Sequence, residues 1–312
     1  MIDLDDIRFV QHLVKAGSMA ATARGMNVTP SAVTQRLQQM EKRYGVVLVD
    51  RSYRQLRLTG EGELLHEKGA AICADTDELF DLLKARSGQI AGHLQVEAPF
   101  GFGRRYLAPL IGEFHAAHPG LKVSLSLFDR LQAQGRNASD IVFFIGELRD
   151  SSMVRHPIAS NRRLLCASPA YLRARGVPAD PDDLAHHDCI TLNESNEDVS
   201  LWRLTRGKAA RCVRIAPALS CNDGEVVRDW AIGGKGIAMR SEWDVADFIR
   251  SGKLVQVLPA WSMPPADIVA LVPQRKRVPA RARAFLDFVR ARFAPLPPWR
   301  ADRGAGVSPG PA

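Results

Sequence analysis

The stretch AATARGMNVTPSAVTQRLQQMEKRYG, residues 20–45, decides the fold of the N-terminal region. It holds two helical patterns separated by a break at Gly25 and Asn27, residue types that tolerate turn geometry. Thr29 and Pro30 have the residue types favoured at the N-cap and first position of a helix. One face of the second helix is apolar, with Val33, Leu37, Met40 and Tyr44. The stretch therefore predicts two helices joined by a short turn.

The opposite face of the second predicted helix is polar. It carries Ser31, Thr34, Gln35 and Gln38, with Arg36 alongside. Ser18 lies where the N-cap of the preceding helix is expected. Side chains of this kind can reach base edges or phosphates in a major groove. The pattern favours a DNA-binding helix-turn-helix, and a small helical bundle with a polar exterior is the alternative.

The next segment, VVLVDRSYRQLRLTGEGELL at residues 46–65, predicts a β-hairpin. An apolar strand leads into a loop from Asp50 to Gln55, and LRLT forms the second strand. Arg51, Arg54 and Arg57 lie in or beside this hairpin. A basic wing beside a recognition helix contacts the DNA backbone or the minor groove. Solvated arginines are the alternative, but the neighbouring helix favours DNA.

Many positions in the first 62 or so residues are in register with one known family. They are Phe9, Gly17-Ser18, Ala20-Ala21, Thr29 to Thr34, Leu37, Met40-Glu41, Tyr44-Gly45, Leu48, Asp50-Arg51, Leu58-Thr59 and Gly62. These residues resemble the winged helix-turn-helix of LysR-type transcriptional regulators. Two sites depart from the family pattern: Met40 replaces the usual Leu, and Val49-Asp50 replaces Phe and a variable residue. From the helix, the wing and the resemblance together, the predicted DNA contacts are Ser18, Thr29, Pro30, Ser31, Thr34, Gln35, Arg36, Arg51, Arg54 and Arg57.

Residues 61–90 predict a long helix that joins two domains. The segment contains no proline, and its apolar residues recur about every 3.5 positions, a pattern that suits pairing with a second copy. A helix lying on the core of its own chain is the alternative. The resemblance implies a dimerising linker helix, and therefore a homodimer or a dimer of dimers. Gly88 and Gly92 mark its end and a hinge.

From residue 92 onward, short apolar runs alternate with helical stretches, as in α/β folds. The resemblance implies a periplasmic-binding-protein-like effector domain of two subdomains. The predicted organisation is therefore an all-α winged helix-turn-helix at 1–60, a linker helix at 61–90 and an effector domain at 91–297. Subdomain I takes about 92–160 and 268–297, and subdomain II takes about 161–267. The Pro- and Gly-rich segment 298–312 is predicted to be a disordered tail.

Three polar turns are candidates for an effector site, because open α/β sheets bind ligands at the carboxyl ends of strands and at helix N-termini. They are APFGFGRR after the first strand, Phe128 to Arg130 after the next, and SCNDGEVV from Ser220. Each is equally consistent with an ordinary loop containing turn and capping residues. The predicted effector contacts are Pro99, Phe100, Gly101, Phe102, Arg104, Asp129, Asn222 and Arg240.

The chain from FGFGRRYLAP onward looks most like the D-malate-responsive branch of the LysR family. This resemblance implies a small organic acid or hydroxy acid as effector, whose charge Arg104, Arg105 and Arg240 could balance. Related sequences often have arginine where this chain has Phe144. A more apolar pocket or a different compound is therefore the alternative.

Charge and composition narrow the class of protein. The net charge of +8 favours an anionic partner, although a solvated basic surface is the bland alternative. MIDLDDIRFV carries acids where a signal peptide carries Lys or Arg, and no apolar run is long enough to span a membrane. Five scattered cysteines without C-x-x-C spacing fit free thiols in a reducing cytoplasm.

Catalytic and phosphate-binding motifs such as G-x-S-x-G, H-E-x-x-H and G-K-[ST] are missing from the sequence. His186, His187 and Cys189 lack a fourth ligand and regular spacing, so neither a metal nor another cofactor is predicted. The sequence therefore predicts a cytoplasmic, effector-responsive regulator that binds double-stranded DNA and contacts RNA polymerase. A solute-binding receptor and an enzyme with a DNA-binding module are the alternatives from other classes.

Overall fold

A computed structural model describes residues 3–50, 56–85, 90–129, 139–146, 153–193, 199–274 and 278–301. The chain divides into two units, residues 1–89 and 90–312. The first unit contains four helices and one short hairpin among its described residues. They are α1 (Leu4–Ala16), α2 (Met19–Met26), α3 (Pro30–Tyr44), β1 (Val49–Asp50), β2 (Arg57–Leu58) and α4 (Gly60–Ala85).

The helices of the first unit begin and end at capping residues. Ser18 and Thr29 have extended backbones, and each side chain accepts a hydrogen bond from an N–H in the first turn of the helix that follows. Gly25 does not break α2, in contrast to the prediction, because it lies within the helix. The break is at Asn27, whose left-handed φ of 56° ends the helix.

The predicted apolar face of α3 forms the core of the first unit. Val33, Leu37 and Met40 are buried against α1 residues such as Phe9 and Leu13. A buried carboxylate, Asp6, lies at the edge of this core. It accepts a hydrogen bond from Tyr44 and pairs with Arg43 at 3.0 Å, which ties both ends of the three-helix arrangement together. Burial, followed by the bond to Asp6, raises the pKa of Tyr44.

The second unit contains two five-stranded sheets, each the centre of one subdomain. The sheet of subdomain I has the order β4-β3-β5-β14-β6, and that of subdomain II has the order β11-β8-β12-β7-β13. The strands are β3 (Gly92–Pro99), β4 (Leu121–Phe128), β5 (Ile141–Ile145), β6 (Met153–Ala159), β7 (Arg163–Ala167), β8 (Cys189–Leu192), β9 (Leu201–Arg206), β10 (Ala209–Arg214), β11 (Pro217–Cys221), β12 (Ile237–Ser241), β13 (Val255–Val257) and β14 (Ile268–Pro273). β9 and β10 form a separate antiparallel hairpin.

Helices cover both sheets. They are α5 (Phe100–Phe102), a π-helical turn (Gly103–Leu107), α6 (Ala108–Ala117), α7 (Pro169–Arg175), a 3₁₀ helix (Pro181–His186), α8 (Gly224–Ile232), α9 (Glu242–Arg250) and α10 (Ala280–Phe293). The first three follow one another without a break, so the π-helical turn lies inside one long helix. Such turns occur mostly inside α-helices and are frequent at functional sites. The predicted fold class, an α/β domain of two subdomains, is confirmed.

The chain crosses between the subdomains twice, between β6 and β7 and between β13 and β14. Asn161 on the first crossing donates from its backbone N–H to Asp267 Oδ1 on the second, at 3.0 Å. Its side-chain Nδ2 donates to the Ala266 carbonyl at 2.8 Å. These bonds hold the two connections together, and we call this region between the subdomains the hinge.

Helix α9 packs on both subdomains. Trp243 is buried in the aromatic core of subdomain I, beside Phe102 and Tyr106, whereas Val245 is buried in the core of subdomain II. The helix therefore links the two cores, and its first residue, Glu242, pairs with Arg162 at 2.8 Å.

The predicted disordered tail starts too early. Trp299 is 3% exposed and packs on Tyr106 and Phe293 with ring centroids 5.3 and 5.6 Å away. Arg300 Nη2 binds Glu242 Oε2 at 2.6 Å. The packed chain therefore continues to Arg300, because an indole ring covers the aromatic core; residues 302–312 lie outside the described part.

Candidate functional site

The start of α3 is exposed and bears several predicted DNA contacts. Thr29 caps the helix by accepting the Ala32 N–H at 3.3 Å, and its hydroxyl lies 3.0 Å from Ser31 Oγ. Pro30 is the first residue of the helix, where its missing N–H leaves no helical bond unmade. All three residues are exposed, so the hydroxyl groups of Thr29 and Ser31 form a short polar row at the N-terminus of α3.

Thr34 and Gln35 follow one turn later. The Thr34 hydroxyl donates to the Pro30 carbonyl at 3.0 Å, which leaves its oxygen able to accept a bond from outside. Gln35 is exposed and offers both an amide donor and an acceptor. Ser18 is exposed at the start of α2, with its Oγ accepting the Ala21 N–H at 3.2 Å. This set has the chemistry that reads base edges.

Arg36 differs from its neighbours because its guanidinium is held within the unit. Nη2 donates to the Asp5 carbonyl at 3.0 Å and lies 3.8 Å from Asp6 Oδ1. The guanidinium also stands 4.7 Å from the centroid of the Phe9 ring. These contacts fasten α3 to α1, and the DNA contact predicted for Arg36 stays a prediction.

The predicted wing is described only in part. Arg51 and Arg54 lie outside the described residues, and Arg57 is exposed on β2. Glu41 of α3 anchors the hairpin, because its Oε1 accepts the backbone N–H of Leu48 at 2.9 Å. The start of the wing is thereby fixed to the helix that carries the polar row.

In the second unit, two of the predicted effector turns end neighbouring strands. β3 and β4 are parallel, and Pro99 lies opposite Phe128 at their carboxyl ends. Phe100 and Gly101 follow the first strand, and Asp129 follows the second. A Cβ on Gly101 would come within 3.0 Å of the Trp243 ring, so the turn lies directly against α9.

Polar bonds join these turns to the third one, which belongs to subdomain II. Arg104, in the π-helical turn, donates from Nη2 to Asp223 Oδ2 at 3.1 Å and to Glu225 Oε2 at 2.8 Å. Asn222 Nδ2 donates to Asp129 Oδ2 at 2.8 Å. The three predicted turns therefore meet at one place, where side chains of the two subdomains bind each other. We call these contacts the cleft bridges.

The cleft bridges shift the pKa values of their members. Burial alone would raise the pKa of Asp223, but the hydrogen bonds from Arg104 and from the Glu225 N–H outweigh burial and lower it. Burial would lower the pKa of Arg104, yet bonding to Asp223 and attraction by Glu225 raise it. The bridge is therefore ionic at neutral pH.

Arg240 is buried instead of lining an open surface. Its Nε donates to Asp244 Oδ2 at 2.8 Å, and Arg228 Nη1 donates to the other carboxylate oxygen at 2.7 Å. A Cβ on Gly224 would lie 2.0 Å from Arg240 Nη2, so only glycine lets α8 begin this close to the guanidinium. Arg240 is therefore buried against the first residue of α8, in contrast to the predicted effector contact.

Phe102 is also placed differently from the prediction. It is fully buried in the aromatic core of subdomain I, with its ring 5.5 Å from that of Tyr106 and 5.7 Å from that of Trp243. Its side chain anchors the turn after β3 and cannot contact a ligand directly. The remaining polar or aromatic candidates are therefore Arg104 and Asn222, which are exposed, and Phe100 and Asp129, which are half-buried.

Two protein families match the chain in succession. Residues 4–63 match the bacterial regulatory helix-turn-helix protein, lysR family, and residues 87–294 match the LysR substrate binding domain. Together these matches cover most of the chain. The chain belongs to the LysR family. It is a DNA-binding transcriptional regulator with an effector-binding domain, and it is not an enzyme.

Two transcriptional regulators are similar to this chain over most of its length. The HTH-type transcriptional regulator DmlR of Escherichia coli (strain K12) is 32% identical over 291 residues, which cover 93% of this chain and 94% of the relative. The HTH-type transcriptional activator TtdR of the same strain is 35% identical over 257 residues, covering 82% and 83%.

Solved structures of full-length LysR regulators are also similar. The Vibrio cholerae virulence activator AphB has a TM-score of 0.60 at 25% identity and covers 92% of this chain and 98% of its own. CrgA of Neisseria meningitidis has a TM-score of 0.60 at 26% identity, with 94% and 100% covered.

The described part of this LysR regulator contains no group of three or more His, Cys, Asp or Glu residues arranged to hold a metal. The Cys189 thiol is buried, which raises its pKa to about 12 and keeps it protonated. His187 Nδ1 instead lies 3.2 Å from the Tyr171 hydroxyl. Over the same described residues, no helix is long and apolar enough to cross a membrane.

The sequence prediction missed the acidic partners in the effector domain of this LysR regulator. Asp223 and Glu225 bind Arg104, and Asp244 is shared by Arg228 and Arg240. An Asp followed by Gly and Glu at the start of a helix was a usable signal, because acids are favoured there. Their arginine partners lie on other elements and give no local signal.

Proposed function

We propose that this regulator reads operator DNA with the exposed row of α3 and changes transcription when a small anionic organic acid binds at the cleft bridges. The observation that carries the effector part is the placement of Arg104, where two carboxylates of subdomain II occupy its donors. A carboxylate ligand has the same chemistry as these side chains and can replace them.

The DNA-reading part rests on Ser31, Thr34 and Gln35. They are uncharged, lie on the first turns of α3 and stand opposite its buried face. Side chains of this size hydrogen-bond base edges in the major groove, whereas the proposed wing arginines Arg51, Arg54 and Arg57 contact phosphates. Ser18, Thr29 and Pro30 position the backbone at the start of the two helices.

We propose a homodimer formed through α4. Four large apolar side chains on this helix are exposed by 49–58%: Leu64, Ile72, Leu79 and Leu83. Their spacing of eight, seven and four residues keeps them near one face of the helix. A second copy would cover them and place two recognition helices on successive major grooves. A dimer of dimers bends the DNA between two such sites and presents it, in the cytoplasm, to RNA polymerase.

The effector part is an exchange of partners. An acid with a carboxylate and a hydroxyl group would bind Arg104 through the carboxylate and Asp129 or Asn222 through the hydroxyl. Binding then breaks the bonds that Asp223 and Glu225 make with Arg104 and changes how the subdomains are joined. Coupling of this kind is worth about 1–3 kcal/mol in typical allosteric proteins.

A mobility shift on the DNA upstream of the regulator's own gene tests the DNA-reading part. We expect Thr34→Ala/Gln35→Ala to lose about 1–3 kcal/mol of affinity for specific DNA, with little change on random DNA. Gln39→Ala, also exposed on α3 but outside the proposed set, serves as the control. Equal losses on both DNAs would exclude base reading by Thr34 and Gln35.

The same assay with a panel of small organic acids tests the effector part. We expect one hydroxy acid to alter the shift of the wild-type protein and to have no effect on Arg104→Gln at the same concentration. An acid that acts equally on both proteins would place the effector site elsewhere. No response to any hydroxy acid would refute the proposed effector class and leave the DNA-reading part standing.

A further inference from the structure

The β9–β10 hairpin of subdomain II concentrates positive charge outside the sites described above. Between residues 199 and 216 the sequence contains Arg203, Arg206, Lys208, Arg211 and Arg214, and no acidic residue. All five are exposed. We call residues 201–214 the basic hairpin. These five positive charges lie in one hairpin, whereas the whole chain of 312 residues has a net charge of +8.

The basic hairpin is anchored to subdomain II by buried side chains and by backbone hydrogen bonds. Trp202, Leu204 and Val213 are almost completely buried on its inner face. Its two strands are joined by the two-residue turn Gly207-Lys208, in which Gly207 takes the positive φ of 60° that tight hairpin turns require at this position. β9 is also bonded to the chain before β14, since the backbone groups of Thr205 and Ser262 exchange two hydrogen bonds of 2.8 Å.

Four of the five hairpin cations have no carboxylate partner among the described residues. In the described ranges, Arg203, Arg206, Lys208 and Arg211 form no ion pair with a carboxylate. Arg206 stacks 4.7 Å from the Trp261 ring, which orders its guanidinium without cancelling the charge. Arg203 lies opposite Cys212 on the outer face, whereas Arg211 lies opposite Leu204 on the face that carries the buried residues, so cations stand on both faces of the hairpin.

The acids near the hairpin include Asp183 and a group that lies outside the described residues. Asp183, on the 3₁₀ helix that adjoins β10, accepts the backbone N–H groups of Ala179 and Asp180 at 2.9 and 3.0 Å. Glu194, Glu197 and Asp198 precede the hairpin in sequence, and their positions are outside the described part of the chain.

We propose that the basic hairpin is a second DNA-contacting surface, which binds phosphates without reading bases. DNA fits because its phosphates form an extended row of negative charge that matches several separated cations at once. It is also the polyanion that this regulator already holds through its first unit. Non-specific phosphate contacts have dissociation constants of about 10⁻⁴ to 10⁻⁶ M, so the hairpin is expected to add a weak, salt-dependent contribution to DNA binding.

Salt dependence of DNA binding by the full chain tests this proposal. The test variant is Arg203→Gln/Lys208→Gln/Arg211→Gln, which leaves the stacked Arg206 in place. The control is Lys122→Gln/Lys235→Gln/Lys253→Gln, which removes the same charge from exposed lysines elsewhere in the second unit. Affinity for a random-sequence duplex is measured by fluorescence anisotropy between about 50 and 200 mM salt.

We expect the slope of log affinity against log salt to fall by about 2.7 in magnitude for the hairpin variant, since each lost phosphate contact contributes about 0.9. The control should keep its slope within about 0.5 of the wild type. Arg203→Lys/Arg211→Lys retains the charges and should retain the slope. Equal slopes for the two triple variants would overturn the proposal.

The oligomeric state separates DNA from a protein partner. Light scattering of the DNA-free protein should give the same mass for the wild type and both triple variants. A mass changed only in the hairpin variant, together with an unchanged salt slope, would show that the surface binds another copy of the chain and would overturn the proposal. Equal melting temperatures for the variants confirm that each is folded.

Discussion

The proposed DNA-reading face of α3 and the proposed effector site at the cleft bridges present polar groups in opposite ways. On α3, Ser31 and Gln35 are exposed, and their side chains are free of charge. At the cleft bridges, Arg104 and Asn222 are also exposed but already hold carboxylates of the other subdomain. The first surface can meet DNA without rearrangement, whereas the second must exchange partners to accept a ligand.

This difference matches the two tasks. A surface that reads DNA gains from being preorganised, because no internal bond is lost on binding. A ligand switch needs two states of similar energy, and breaking one set of ion pairs to make another keeps the difference small. The charges that do not take part in this exchange are buried deeper, and they stabilise the fold instead.

The largest expected effect concerns the buried charges. Asp244→Ala should lower the free energy of unfolding by about 3–5 kcal/mol, because it leaves the guanidinium groups of Arg228 and Arg240 without their shared carboxylate. Urea unfolding of the full-length protein, followed by tryptophan fluorescence, measures this loss.

Asp229→Ala is the matched control for that experiment. Asp229 binds Arg228 at 3.1 Å but its side chain is 66% exposed, so we expect a loss of less than about 1 kcal/mol. Similar losses for the two variants would mean that burial does not separate the structural charges from the exchangeable ones, and the comparison drawn above would fail.

Features set by neighbouring residues could be predicted from the sequence, whereas contacts between distant parts of the chain could not. Val33, Leu37 and Met40 recur at helical spacing, so the buried face of α3 follows from local pattern alone. The pair Arg104 and Glu225 is 121 residues apart in the chain, and nothing near either residue indicates the other. Arg104 was therefore predicted as a ligand contact, and its protein partners were missed.

The strands also show where prediction from the sequence fails. The apolar runs of β5 and β14 are largely buried and fit the predicted α/β pattern, whereas β9 and β10 alternate buried residues with arginines and show no such run. The two-residue turn with Gly207 was the signal that could have revealed that hairpin. Trp299 was assigned to a disordered tail because proline and glycine surround it, but tertiary packing of one aromatic side chain outweighs that local composition.

An intermediate effect is expected at the hinge. Glu242 is buried and binds Arg162 and Arg300. Burial alone would raise its pKa, but these hydrogen bonds and charges outweigh burial and lower it. The unfolded pKa of a glutamate is about 4.3. The pair therefore stabilises the fold fully above that value and loses its contribution as the pH falls through the lower, folded-state pKa.

Glu242→Gln should consequently be less stable than the wild type by about 1–3 kcal/mol at pH 7, and this gap should shrink as the solution is acidified below the unfolded pKa. Urea unfolding at a series of pH values measures the gap. Glu113→Gln is the control, because Glu113 and its partner Arg292 are each 49% exposed and the pair is worth little. A gap that is constant with pH would mean that the Glu242 charge does not stabilise the hinge.

The smallest expected effect concerns Arg36, which tests whether the recognition helix keeps all of its polar groups available. The guanidinium donates to the Asp5 carbonyl at 3.0 Å and lies over the Phe9 ring. Arg36→Gln should therefore lower the free energy of unfolding by about 1 kcal/mol and leave the salt slope of DNA binding unchanged. If the slope instead falls by about 0.9, Arg36 leaves these partners to bind a phosphate, as the sequence alone predicts. In that case the first unit also exchanges internal bonds for external ones, and the contrast with the effector cleft becomes one of degree.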